Sequence, residues 1–277
     1  DSTSDLAPSQ LERYGIEVIP LYVTFDAESY RDGAELQADD LFRKVGEKSK
    51  LPKTAAPSPA DFINAFSPSI EAGYDILYIA LSSELSSTSQ NAMIAADEFP
   101  DGRVRVFDSL NLSSGIGLQV MKAAVAAEKG KTMDEIMAIL ESVRKRVETE
   151  FIIDTLDYLY MGGRCSGLQH FIGNMLKIRP VVKVVDGKMI LASKIRGKRE
   201  KALQQLLDNA LANKDKMDDE LVFVTHAKAD EEAVYLRETL LRETRAKEVV
   251  ITEAGCVISS HCGPQTVGIL YITNEGA

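Results

Sequence analysis

Two apolar runs, DILYIAL (75–81) and RVRVFDS (103–109), each lead into a hydroxyl-rich loop and then into a stretch with helical spacing, at about 86–98 and 113–129. This strand, loop and helix order, used twice in succession, constrains the chain more than any other feature, because parallel neighbours need a crossover helix between them. Upstream, GIEVIPLYVTF (15–25) reads as a buried strand pair or one bent strand. PSPADFINAF opens a helix with Ser58 at its N-cap and Pro59 in the first helical position, closed by Gly73. The first half is therefore expected to be a mostly parallel sheet with flanking helices. Ligands of such sheets gather at the carboxyl ends of the strands, which sets Ser82, Ser83, Ser86, Ser87, Asp108 and Ser109 along one edge.

The second half has a different rhythm. Helical periodicity from Met133 to Val147 ends near a boundary that divides the chain into residues 1–149 and 150–277. RPVVKVVDGKMILASKIR (179–196) is two alternating strands around Asp186-Gly187, a strong hairpin signal. A helix at 198–213, ELVFVTHA, a helix at 230–244, EVVITEA and TVGILYIT follow. The expected architecture is α/β in two domains: a Rossmann-like N-terminal domain and an α+β C-terminal domain with a mixed sheet. At 277 residues the chain is long enough for both.

Composition excludes several functions. A net charge of −10 opposes unspecific attraction to nucleic acid or to an anionic membrane surface. No apolar run approaches the ~18 residues of a membrane helix, so stable membrane insertion is not expected. Cys165, Cys256 and Cys262 are odd in number and lack CxxC spacing. Neither a disulfide framework nor a zinc site follows, and a reducing cytoplasm fits best. The chain opens DSTSDL without an initiator Met, which leaves open whether a first strand precedes Asp1.

The candidate chemistry centres on an anion. LSSELSSTSQ (81–90) places hydroxyls and unpaired backbone N–H groups at a helix start, where an anion site and simple helix capping are both open. LPKTAAPSP brings Thr54 near a second Pro-pinned helix start. VISSHCGPQTVG sets His261 beside Gly263 among small residues that let backbone approach closely and leave the imidazole projecting. MGGRCSG lacks the phosphate-loop patterns and reads as a tight turn displaying Arg164. His170 and His226 read as structural. A small-molecule hydrolase using Ser or Cys with His261 is the alternative, although no G-x-S-x-G elbow is present.

Taken together, DSTSDL, PLYVTF, KTAAPSP, LSSELSSTSQ, VFDS, YLYMGGR and SSHCGPQTVGI stand in the order and spacing of the DegV family, which the whole chain resembles. Its characterised members are the fatty-acid-binding FakB subunits of bacterial fatty acid kinase. The resemblance implies one long-chain fatty acid held between two domains, with no other cofactor. Thr54, Ser86 and His261 would bind its carboxyl group, and an apolar tunnel in the second domain would hold its tail. A separate ATP-dependent kinase subunit would phosphorylate the carboxyl group, the acyl phosphate entering phospholipid synthesis, and Arg196 would dock that subunit. The chain itself would have no catalytic machinery. It departs from the usual family pattern at Ala55, at Ser87-Thr88-Ser89 and at Gln265, which bears on local shape and chain-length preference.

Overall fold

The computed structural model describes residues 1–164, 178–274 and 276. Cys165 and His170 lie outside the described residues. After a short 3-10 turn, α1 (Pro8–Tyr14) leads to the hairpin β1 (Tyr22–Phe25) and β2 (Glu28–Arg31), then α2 (Ala38–Lys48) and β3 (Lys53–Ala55). β3 pairs antiparallel with the other edge of β1, giving the order β2-β1-β3. The run 15–25 therefore supplies one short strand, and residues 16–21 have no regular structure.

The expected strand and helix units follow: α3 (Pro59–Glu71), β4 (Ile76–Ala80), α4 (Thr88–Ala96), β5 (Val104–Asp108), α5 (Ser114–Glu128) and α6 (Met133–Arg144). β4 and β5 are parallel, in register from Ile76 and Val104 to Ala80 and Asp108. Among the described residues they are the parallel part of the first half, and β1 to β3 form a separate antiparallel layer. Local signals fix the helix starts. Ser58 with Asp61 and Thr132 with Glu135 form reciprocal capping boxes at α3 and α6.

The remainder builds a six-stranded mixed sheet from β6 (Val147–Ile152), α7 (Asp157–Met161), β7 (Ile178–Val185), β8 (Lys188–Arg196), α8 (Arg199–Ala212), β9 (Met217–Ala227), α9 (Asp230–Glu243), β10 (Glu248–Glu253), α10 (Cys256–Cys262) and β11 (Thr266–Thr273). Its order is β10-β9-β11-β6-β7-β8, with β9 and β10 parallel and the other pairs antiparallel. One sheet face packs on α8 and α9 through Val222, Val224, Leu206 and Leu236. The opposite face contributes Phe151, Val182 and Met189 to a core shared with Leu21, Phe107 and Ile116 of the first half. The two halves are thus joined by buried apolar contact, the largest stabilising term available to them.

The β7–β8 hairpin reaches back to the first half. Asp186 and Gly187 have φ of 48° and 78°, the backbone a tight two-residue hairpin turn requires. Ser82 Oγ donates to the Gly187 carbonyl at 2.9 Å, and Lys188 pairs with Glu84 at 3.3 Å. A Cβ on Gly187 would lie 2.5 Å from Ser82 Oγ, so only glycine permits this seat.

Candidate functional site

Thr54 sits in β3, opposite Val23 of β1. Its Oγ1 lies 2.8 Å from His261 Nε2 although 207 residues separate the two. His261 is in the last turn of α10, a helix that the sequence analysis does not anticipate. The helix forms because tertiary contacts replace its missing cap. Asp5 Oδ1 accepts the Gly255 N–H at 2.8 Å, and Asp32 Oδ1 accepts the Cys256 N–H at 2.7 Å. Ser259 and Ser260 then donate back to the carbonyls of Ala254 and Cys256, so serines that would compete with helix are satisfied within it. Gly263 ends the helix at φ 76°, with Tyr158 so close that a Cβ would lie 2.7 Å from its ring.

Ser86 reaches the same place from the loop after β4. Its N–H donates to the Ser82 carbonyl at 3.1 Å, its Oγ accepts the Thr88 N–H at 3.3 Å, and the two hydroxyls are 2.8 Å apart. Asn91 of α4 donates to the Pro57 carbonyl at 2.7 Å and fixes that loop against the Thr54 segment. Arg164, just beyond α7, donates to the carbonyls of Gly162 at 2.8 Å and Leu85 at 3.3 Å. It thereby ties α7 to the loop that carries Ser86.

Thr54, Ser86, Arg164 and His261 line one cavity. The other residues of the predicted edge do not: Ser82, Asp108 and Ser109 shape the loops, and Ser83 and Ser87 are exposed. Ser82 holds the hairpin turn, while Asp108 Oδ1 accepts the N–H groups of Ser83 and Leu110. Ser109 exchanges hydrogen bonds with the backbone of Asn111, and Ser87 stands exposed at the start of α4 without capping it. Gly263 shapes the α7–α10 contact from outside the lining. Arg196 is exposed at the end of β8 and takes no part in the cavity.

The cavity, with the open solvent at its mouth, spans about 870 Å³ and runs past Ala254 and along one face of α10 through Val257, Ile258 and His261. Gly268 leaves the sheet bare where it passes over β11. Its apolar walls include Leu21, Leu81 and Leu112 from the first half and Phe151, Met189 and Leu270 from the second. This cavity is therefore bounded by both halves, whereas the resemblance implies an apolar tunnel within the second domain.

Burial, reinforced by the charge of Arg164, lowers the His261 pKa from 6.5 to about 4. The imidazole is neutral at pH 7, and the positive charge at this end of the cavity belongs to the guanidinium. Two hydroxyls, one imidazole and one nearby cation suit a single carboxylate, and the walls suit an alkyl chain. Hydrolysis finds less support. Burial pushes the Cys262 thiol up to about 12 and the Cys256 thiol higher, and the Nε2 that would serve as base faces Thr54. Among the described residues no cluster of His, Cys, Asp or Glu could hold a metal ion, and no helix is long and apolar enough to cross a membrane.

Sequence reasoning missed Thr88, whose buried hydroxyl partners Ser86, and Gly162, which packs on His261. The first stood inside the quoted serine run. The second had no signal beyond a glycine pair.

A model of the DegV family matches residues 1–274. A DegV domain-containing protein of Deinococcus radiodurans is 34% identical over 270 residues, covering 97% of this chain and 95% of its own. A DegV family protein from Thermus thermophilus, described by its fatty acid binding, superposes with a TM-score of 0.92 at 34% identity, covering 99% of this chain and 98% of its own. A Thermotoga maritima protein, whose structure is described as revealing a fatty acid binding function, gives 0.86 at 31% identity, covering 99% and 97%.

Proposed function

The chain belongs to the DegV family, and we propose on that premise that it binds a long-chain fatty acid and presents the carboxyl group to a separate ATP-dependent kinase subunit for acyl-phosphate formation. Thr54, Ser86 and His261 bind the carboxyl group, with Arg164 balancing its charge. The observation that carries this reading is the Thr54–His261 contact at the head of an apolar cavity that Ser86 also lines. Fatty acid binding by the Thermus and Thermotoga relatives supports it. Each buried CH₂ of the tail contributes about 0.8 kcal/mol before ordering costs, so the alkyl chain supplies most of the affinity and the polar groups its orientation.

On this reading two domains hold one ligand between them, and the divide expected near residues 149 and 150 moves to the start of β6, which belongs whole to the second. The protein works in the reducing cytoplasm, in keeping with its unpaired, buried Cys256 and Cys262. The kinase docks on the exposed basic residues Arg196, Lys198 and Lys201. Arg199 does not join them, because Glu232 holds it through two contacts of 2.5 and 2.8 Å. The test is extraction of the purified protein for mass spectrometry, followed by incubation with palmitate, ATP and the cognate kinase. A co-purified acyl chain and kinase-dependent acyl phosphate are expected. An empty protein that takes up no palmitate overturns the proposal.

A further inference from the structure

We infer that Gly162 is a positioning residue for His261: its bare Cα packs on the Nδ1 edge of the imidazole and fixes which ring nitrogen works in the site, a role that rests on the carboxyl site proposed above. The backbone does not demand glycine here. Gly162 has φ −75° and ψ −7°, ordinary right-handed geometry open to any L-residue. The demand comes from the ring. A Cβ on Gly162 would lie 2.2 Å from His261 Nδ1, 2.7 Å from its Cε1 and 3.0 Å from the Tyr158 carbonyl oxygen.

Nδ1 is buried and has no hydrogen-bond partner among the described residues. A proton there would be a buried donor without an acceptor, so the neutral ring carries its proton on Nε2, which faces Thr54 Oγ1 at 2.8 Å. Thr54 Oγ1 accepts a hydrogen bond from that N–H, which is also the one donor the neutral imidazole has for a carboxylate, and Thr54 keeps its own hydroxyl hydrogen for the same group. The wall behind the ring is itself fixed. The Gly162 N–H donates to the Tyr158 carbonyl at 2.9 Å, its carbonyl accepts Arg164 at 2.8 Å, and the Tyr158 ring closes against Gly263. With α7 held in this way, a methyl group at position 162 must push the imidazole away or turn it. Either movement breaks the contact with Thr54.

The test measures palmitate affinity in four full-length proteins: wild type, Gly162→Ala, His261→Ala and the double variant. Gly162→Ala is expected to weaken binding at least tenfold in the wild-type background and less than twofold when His261 is already absent, since the methyl group then has no ring to displace. In imidazole-resolved NMR, Gly162→Ala is expected to shift the His261 tautomer signal and raise its titration midpoint. An equal loss of affinity in both backgrounds, or an unchanged imidazole spectrum, overturns the inference. If His261→Ala leaves palmitate affinity untouched, the carboxyl site falls instead, and the imidazole spectrum of Gly162→Ala still decides whether Gly162 sets the ring.

Discussion

Replacing His261 with Gln keeps a hydrogen-bond donor and removes the titration, which makes acid stability a direct test of the buried neutral ring. The folded-state pKa lies below the ordinary value, so as pH falls the unfolded chain takes up the proton first. The contribution of the neutral imidazole is complete above about pH 6.5 and is lost as pH falls toward 4. A displacement from 6.5 to about 4 corresponds to about 3 kcal/mol at about 1.36 kcal/mol per pH unit. Urea unfolding of wild type and His261→Gln in steps from pH 7.5 to 4 reads the effect, on the order of 1 M in midpoint. The difference between the two proteins is the relevant quantity, because Asp5 works in the opposite direction. Burial raises its pKa to about 8, so acidification favours the fold at that residue in both proteins alike. A wild-type minus variant difference that stays flat from pH 7.5 to 4 would refute a buried, neutral His261.

Thr54→Val and Ser86→Ala should each weaken palmitate binding about tenfold or more, since removing one partner of a charged group costs about 1.5–3 kcal/mol; unchanged affinity in a displacement titration would remove that residue from the site. Gly187→Ala should lower stability by about 1–3 kcal/mol, because it combines a left-handed φ with a collision against Ser82 Oγ; an unaltered calorimetric midpoint would show that the hairpin is not seated there. Arg196→Ala should retain fatty acid fully while slowing acyl-phosphate formation with the kinase, most visibly at physiological salt. Wild-type phosphorylation, or loss of lipid along with it, would show that Arg196 is not a docking residue.

Features encoded by neighbouring residues were legible in the sequence. The Ser58 and Pro59 start of α3, the Asp186-Gly187 turn, and β4 and β5 with the helices that follow them all stand where local patterning puts them. Features made by distant residues were not. α10 is rich in serine and β-branched residues, and its N-terminal N–H groups are satisfied by Asp5 and Asp32, which no local window contains. The same limit applies to the serine run after β4. Its composition announced hydroxyls at a helix start, yet only the fold separates Ser86, at the cavity, from Ser82, which seats a hairpin 105 residues away. Gly162 was equally silent, because its value lies in the ring that packs on it.

The capping of α10 by Asp5 and Asp32 means that the helix bearing His261 is folded in trans, by carboxyl groups more than 200 residues upstream. Parting the halves strips both caps and leaves a seven-residue segment too short to hold helical form alone. The second half by itself then no longer holds His261 in an ordered helix, and a molecule that opens along this seam dismantles the head of the proposed carboxyl site. Separation of the two halves is expected to release the amide protons of Gly255 and Cys256 to exchange, which makes them local reporters of whether the molecule is shut.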